Sequence, residues 1–217
     1  MEIQVNGVRM YYEVTGQGRP LILLHGNGED HTIFDKTVPI LARTHRVYTP
    51  DSRCHGNSQD TKTISYEDMA ADMIAFVRAL DLDRPIFYGF SDGGIVGLLV
   101  ARDAPTLMSE IIVSGANLCP NGLKWPVRMS IHSVAFWKKD KLWQLMDREP
   151  NIPPESLKSI YVPVHVLAGQ RDMVRTAHTR LIAASIPGAT LEILPGETHG
   201  SYIVHSDRLA PILLKYL

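Results

Sequence analysis

Short apolar runs alternate with helical patterns along most of the chain, and this alternation limits the fold more than any other feature. Residues 21–24 are all leucine or isoleucine, typical of a strand covered on both faces. Residues 65–80 place apolar side chains at helical spacing, with Ser65 in position to cap the first turn. Strands that alternate with helices predict a mostly parallel sheet with helices on both faces. The other predicted strands are 47–49, 85–90, 110–114, 162–168 and 191–194, and the other predicted helices end near 43 or span 93–104, 176–185 and 202–216.

Two segments depart from this alternation. Near the N-terminus, residues 3–5 and 8–12 flank Asn6-Gly7, a pair that favours the tight turn of an antiparallel hairpin. Residues 117–160 contain no clear strand. We interpret them as a short helical lid over the carboxyl ends of the strands, where ligands bind in open α/β sheets. The chain is therefore predicted to be one domain, residues 1–217, with a lid insertion at about 117–160.

The predicted lid is rich in large apolar side chains, including all three tryptophans of the chain. We expect four of its residues to bind substrate: Trp125, Met129, Phe136 and Trp137. The alternative is that such side chains only pack the lid onto the body of the protein, which is the commoner role for any single one of them.

The composition favours a small-molecule substrate. The chain has 217 residues and a formal net charge of −1, which provides neither a basic footprint for nucleic acid nor a polybasic membrane patch. We therefore expect no nucleic-acid partner and no membrane partner.

Cys54 and Cys119 are too few for a disulfide framework, and the first residues do not resemble a signal peptide, so we expect a cytoplasmic location. The sequence does not indicate an oligomeric state.

The strongest chemical signal is the run Gly89-Phe90-Ser91-Asp92-Gly93, which lies between a predicted strand and a predicted helix. A sharp strand-to-helix turn lifts a serine hydroxyl above the sheet, and flanking glycines relieve the crowding there. The start of the helix adds free N–H groups beside that hydroxyl. This context predicts that Ser91 is a nucleophile, whereas an ordinary helix-capping serine is the alternative.

Two later strands end in residues that suit the partners of such a serine. Asp172 follows the strand at 162–168, and His199 follows the strand at 191–194. The order serine, acid, histidine along the chain is the one used by hydrolases with this strand–turn–helix nucleophile. We therefore predict that His199 is the general base and that Asp172 orients it.

A glycine-rich loop, His25-Gly26-Asn27-Gly28, ends the first parallel strand. Its backbone N–H at Asn27 and that of Asp92 are predicted to bind a developing oxyanion. We expect His25 to hold this loop in place rather than to act as a base. No histidine or carboxylate pairs fall at metal-ligand spacing, so we expect no metal and no cofactor.

Taken together, these motifs resemble those of the α/β-hydrolase superfamily, and the resemblance extends from the hairpin to the last helix. Residues 51–58, Asp-Ser-Arg-Cys-His-Gly-Asn-Ser, are similar to a loop of that family, with Cys54 in place of its first glycine. The elbow resembles that of small esterases and of valacyclovir-hydrolase-like enzymes. The resemblance implies an α/β-hydrolase fold and hydrolysis of a small carboxylic ester through an acyl-enzyme. A contact of Asp51 or Arg53 with substrate is one interpretation, and a loop-anchoring ion pair is the favoured one.

Other functions are compatible with the same three residues. A lactonase, a carbon–carbon bond hydrolase or a perhydrolase would differ only in pocket contacts that the sequence does not reveal. A hydrolase-fold receptor or signalling protein with slow turnover is the alternative from a different functional class.

Overall fold

The protein is built on an eight-stranded sheet in the order β1-β2-β4-β3-β5-β6-β7-β8, and the computed structural model describes residues 1–217. The strands are β1 (Glu2–Val5), β2 (Val8–Thr15), β3 (Arg19–Leu24), β4 (His45–Pro50), β5 (Ile86–Phe90), β6 (Glu110–Ser114), β7 (Val164–Arg171) and β8 (Thr190–Thr198). The helices are α1 (Val38–Leu41), α2 (Tyr66–Ala79), α3 (Asp92–Asp103), α4 (Trp125–Lys138), α5 (Lys141–Arg148), α6 (Thr176–Ser185) and α7 (Leu209–Leu213). The first two strands pair antiparallel, β2 joins β4 antiparallel, and all other pairs are parallel. This architecture is the predicted α/β-hydrolase fold.

The sheet is buried on both faces because the middle of each central strand is a run of consecutive apolar residues, such as Leu21–Leu24 in β3 and Ile111–Val113 in β6. In β3, Ile22 and Leu24 belong to one hydrophobic cluster, whereas Leu21 and Leu23 belong to a second cluster on the opposite face. Helices α2, α3 and α6 cover the first face, and α1 and α7 contribute to the second. The continuous apolar runs in the sequence are the direct consequence of this two-sided cover.

Local sequence signals account for the N-terminal hairpin and for the start of α2. Asn6 and Gly7 adopt φ values of 48° and 77°, as a two-residue hairpin turn requires, and Val5 pairs with Val8 across it. The hydroxyl of Ser65 accepts a hydrogen bond from the backbone N–H of Asp68 at 3.1 Å. The cap satisfies one of the N–H groups that the first turn of α2 leaves free.

Some predicted boundaries differ from those observed. The predicted terminal helix at 202–216 is reduced to α7, because His205 lies in the left-handed region with φ 48° and interrupts a continuous helix. The predicted helix ending near 43 is a short 3₁₀ turn, His31–Phe34, followed by α1. Strand β8 is longer than predicted and ends at Thr198, so His199 is the next residue of the chain.

The lid is helical, as predicted, and lies between β6 and β7. It consists of α4 and α5 with short 3₁₀ turns on either side, Pro120–Gly122 and Pro154–Ser159. The longest helices of the protein, α2 and α4, have 14 residues each. None of the helices has the length and apolar character needed to cross a membrane.

The packing predicts which aromatic residues determine stability. Phe76 on α2 is fully buried, whereas Phe136 on α4 is 65% exposed. We expect Phe76→Ala to lower the free energy of unfolding by about 3–5 kcal/mol, because it removes apolar contacts and leaves a cavity. The matched control, Phe136→Ala, should change it by less than about 0.5 kcal/mol. Urea denaturation of the two variants measures both values, and equal effects would contradict the assignment of the core.

Candidate active site

Ser91 lies on a strained turn between β5 and α3. Its backbone adopts φ 52° and ψ −112°, a conformation that L-residues rarely take. Any side chain at position 89 would clash with the backbone of Gly93, and any side chain at position 93 would clash with the carbonyl of Leu24. The two glycines therefore allow β3, β5 and α3 to approach closely enough to hold the serine in this conformation.

The structure brings Ser91, His199 and Asp172 together at one edge of the sheet. The Nε2 atom of His199 is 3.0 Å from Oγ of Ser91, and its Nδ1 atom is 2.7 Å from Oδ1 of Asp172. Strands β5, β7 and β8 are parallel, so the residues that follow them meet at their common carboxyl edge. This is the geometry in which an imidazole can take a proton from a serine hydroxyl while a carboxylate fixes its orientation.

The surroundings of Asp172 favour the charged form of its carboxyl group. Burial alone would raise the pKa of its carboxyl group, but the hydrogen bond and charge of His199 outweigh that effect. The backbone N–H of Val174 also donates to Oδ1 at 2.9 Å. The pKa of Asp172 is therefore below its ordinary value, which keeps the carboxylate available to an imidazolium.

The loop that follows β3 lies against the nucleophile turn. Asn27 and Asp92, whose backbone N–H groups are the predicted oxyanion donors, both line the pocket. The side-chain amide of Asn27 donates to Oδ2 of Asp92 at 2.9 Å and to the lid carbonyl of Leu142 at 3.3 Å. The two residues predicted to donate to the oxyanion are thus held together by a contact between their own side chains.

Glu29, which the sequence did not single out, stabilises this loop. Its Oε2 atom accepts a hydrogen bond from the backbone N–H of Gly26 at 3.0 Å. Burial raises the pKa of Glu29, and the hydrogen bond from Gly26 opposes that rise. The carboxyl group therefore stabilises the turn that contains Asn27.

His25 and Arg53 anchor the neighbouring loops. The Nδ1 atom of His25 donates to the carbonyl of Gly26 at 2.7 Å, and its Nε2 atom accepts from the backbone N–H of Ser52 at 3.0 Å. Arg53 forms a buried, two-pronged ion pair with Asp72, at 2.6 Å and 2.8 Å. Neither His25 nor Arg53 lines the pocket, and the ion-pair partner of Arg53 is Asp72 rather than Asp51. The backbone of Cys54 adopts φ 65°, so this cysteine takes a conformation more usual for glycine.

Asp92 is a buried carboxyl group in the floor of the pocket. Its Oδ1 atom accepts a hydrogen bond from the phenol of Tyr66 at 2.8 Å. Burial raises the pKa of Asp92, while the hydrogen bonds from Asn27 and Tyr66 act in the opposite direction. Tyr66, which the sequence did not single out, is a buried residue of α2 whose hydroxyl contacts the site.

The site opens into a pocket of about 770 Å³ between the sheet edge and the lid. Four carboxyl groups contribute to its lining, and no lysine or arginine does. The acidic residues are Glu29, Asp92, Asp140 and Glu149, and the lid adds apolar contacts through Val127, Ile131, Leu142, Trp143 and Met146. No group of three or more histidine, cysteine, aspartate or glutamate side chains is arranged to hold a metal ion.

The structure corrects the prediction for the lid residues. Trp125, Met129, Phe136 and Trp137 do not line the pocket, and all four are exposed to solvent. The inward face of α4 is formed instead by Val127, Ile131 and Ala135. The sequence predicted the wrong face because α4 has apolar residues on both sides. Trp143 of α5 is the one tryptophan that reaches the pocket.

Comparison with known proteins agrees with this architecture. A family model described as the alpha/beta hydrolase fold matches residues 19–175. A human protein named serine hydrolase BPHL is 24% identical over an alignment that covers 100% of this chain and 85% of the human protein. The structure is similar to an esterase from Exiguobacterium antarcticum, with a TM-score of 0.87, 20% identity and coverage of 99% and 98% of the two chains. It is also similar to an enol-lactonase from Burkholderia xenovorans LB400, with a TM-score of 0.83, 19% identity and coverage of 100% and 99%.

The burial of His25 predicts a pH dependence of stability. Burial, followed by the nearby His55, lowers the pKa of His25 from 6.5 to about 4. The unfolded chain therefore binds a proton at a higher pH than the folded protein does. The contribution of His25 to stability is complete above about pH 6.5 and is lost as the pH falls towards 4, by on the order of 3 kcal/mol.

Urea denaturation at a series of pH values tests this contribution. In His25→Gln, the free energy of unfolding should fall less steeply with acid than in the unmodified protein, since glutamine does not titrate in this range. Ser133→Ala, which changes no titratable group, should keep the original slope. An unchanged slope in His25→Gln would show that this imidazole does not carry the acid sensitivity.

Proposed function

The chain belongs to the α/β-hydrolase fold family, and we propose that it is a serine hydrolase that cleaves small carboxylic esters through an acyl-enzyme. The observation that carries the proposal is the pair of contacts of His199, at 3.0 Å to the hydroxyl of Ser91 and at 2.7 Å to the carboxylate of Asp172. A serine on a strained elbow, an imidazole within hydrogen-bond reach and a buried carboxylate together suit nucleophilic acyl transfer.

In the proposed first half-reaction, Nε2 of His199 removes the proton from Ser91 as its oxygen attacks the ester carbonyl carbon. Asp172 keeps the other ring proton on Nδ1 and stabilises the imidazolium that forms. The N–H groups of Asn27 and Asp92 donate to the oxyanion of the tetrahedral intermediate. The carbon–oxygen bond to the alcohol then breaks, and His199 gives its proton to the departing alcohol.

In the proposed second half-reaction, water takes the place of the alcohol. His199 removes a proton from water, and the resulting hydroxide attacks the acyl carbon. The bond to Oγ of Ser91 breaks, the serine recovers its proton from His199, and the carboxylic acid leaves. Lactones, whose alcohol remains tethered to the acyl group, would follow the same two steps.

The charge of the pocket narrows the proposed substrate class. Carboxyl groups lie in the pocket floor at Asp92 and on the lid side at Asp140 and Glu149, and no cation of the lining opposes them. Like charges brought together in a partly closed site cost free energy that opposite or neutral groups do not. The pocket therefore suits a neutral or cationic ester better than one that carries a free carboxylate.

Replacing the nucleophile tests the reaction class. We expect Ser91→Ala to reduce kcat for p-nitrophenyl butyrate by about 10⁴-fold or more, because no group replaces the attacking oxygen. The matched control, Ser133→Ala, removes an exposed hydroxyl outside the pocket and should leave turnover unchanged. Steady-state kinetics with both variants gives the comparison. Hydrolysis that persists in Ser91→Ala would assign the reaction to another residue.

The acidic lining predicts discrimination by charge. We expect kcat/KM for mono-p-nitrophenyl succinate to be at least about tenfold lower than for p-nitrophenyl butyrate, because its free carboxylate meets the carboxyl groups of the pocket. The difference should narrow as salt is added, since salt screens the repulsion. Equal rates for the two esters at low salt would contradict the proposed role of these carboxyl groups.

A further inference from the structure

The outer face of α4 carries large apolar side chains that nothing in the chain covers. Trp125 is 71% exposed, Phe136 65% and Trp137 78%, and Met129 beside them is 45% exposed. Three exposed aromatic residues on one 14-residue helix form a patch of the kind that marks an interaction site rather than ordinary surface. We refer to these four residues as the lid patch.

Three members of the lid patch lie along one side of α4. Trp125, Met129 and Phe136 are separated by four and by seven positions, which places them along one side of α4. Trp137 extends the patch towards the end of the helix, where it and Phe136 line an open groove of about 730 Å³ between α4 and α5. From Trp125 to Trp137 the helix rises about 18 Å, so the patch spans nearly the whole of α4.

The charged side chains of residues 124–139 are all positive. Lys124, Arg128, Lys138 and Lys139 are exposed and form no ion pair, and residues 124–139 contain no aspartate or glutamate. Two acidic groups lie nearby and are paired: Asp140 caps α5, and Asp147, which lines the groove between α4 and α5, pairs with His132 of α4. Since the whole chain has a formal net charge of −1, these four cations leave the remainder of the protein negative.

Aromatic residues interspersed with lysine and arginine are typical of helices that lie in the interface of an anionic membrane. The aromatic rings enter the boundary between headgroups and acyl chains, and the cations meet the anionic headgroups. Association with a second copy through the same face would bring these cations against one another, which opposes it. The charge pattern therefore favours an anionic lipid surface over a dimer.

We propose that the lid patch docks this protein on anionic phospholipid surfaces. The adjacent side of α4 lines the pocket through Pro126, Val127, Ser130 and Ile131. Docking through the patch places the entrance of the pocket next to the lipid, where apolar esters accumulate. This surface departs from the expectation of no membrane partner, which rested on net charge and overlooked four cations gathered on one helix.

Vesicle binding tests the proposal without depending on turnover. The full chain carrying Ser91→Ala is mixed with phosphatidylcholine vesicles, or with vesicles in which phosphatidylglycerol replaces one third of that lipid. Cosedimentation should detect binding to the anionic vesicles and little binding to the neutral ones, and tryptophan fluorescence should shift to shorter wavelength only with the former. Because the readout is binding, failure of the proposed ester hydrolysis would leave this result unaffected.

Two sets of variants identify the surface. Replacing Trp125, Phe136 and Trp137 by serine should reduce binding by at least tenfold, and Lys138→Glu with Lys139→Glu should reduce it similarly. The matched control combines Tyr161→Ser and Lys158→Glu, an aromatic residue 80% exposed and a cation outside α4, and should bind as before. All these side chains are exposed, so the variants should fold, which circular dichroism verifies.

Three results would overturn the proposal. One is an absence of binding to the anionic vesicles, and another is equal binding by the lid variants and the control. The third is a dimer, detected by analytical ultracentrifugation, that the serine substitutions dissolve. That result would show that the lid patch is instead covered by a second copy of the chain.

Discussion

The close contact of β3, β5 and α3 around Gly89 and Gly93 is the constraint on which the rest of the site depends. A side chain at either position would collide with backbone, so only glycine lets α3 start directly above the strand ends. Ser91 is then forced into a left-handed conformation that points its hydroxyl away from the sheet. The imidazole of His199 contacts that hydroxyl, and Asp172 contacts the imidazole.

Hydrogen bonds between loops hold the surroundings of Ser91 in place. His25 ties the loop after β3 to the loop after β4, and Asn27 ties it to Asp92 and to the lid. The phenol of Tyr66 connects Asp92 to α2. These hydrogen bonds satisfy polar groups that burial would otherwise make costly, and they hold the N–H groups of the pocket still. A site whose loops are held in place in this way is suited to stabilising charge without reorganisation.

The sequence was sufficient to predict the fold and the convergence of Ser91, His199 and Asp172, because each of these residues follows a strand that burial marks clearly. It was insufficient for the lid, since α4 has apolar side chains on both faces and nothing local indicates which face meets the body. Glu29 and Glu149 could not be identified from the sequence. Glu29 contacts Gly26 only because of the shape of the turn after β3, and Glu149 reaches the pocket only because the lid folds over it. Tyr66 could not be distinguished from the core residues of α2. The length of the terminal helix was overestimated because the left-handed turn at His205 has no sequence signature.

The central claim is that Ser91 is an activated nucleophile, and covalent labelling measures this property directly. A fluorophosphonate probe reacts with a serine that a neighbouring base has activated, and peptide mapping by mass spectrometry identifies the modified residue. One adduct per chain is expected, on the peptide that contains Ser91, and labelling should be lost when His199 is replaced by alanine. An adduct on a different serine, or a chain that remains unmodified while correctly folded, would contradict it.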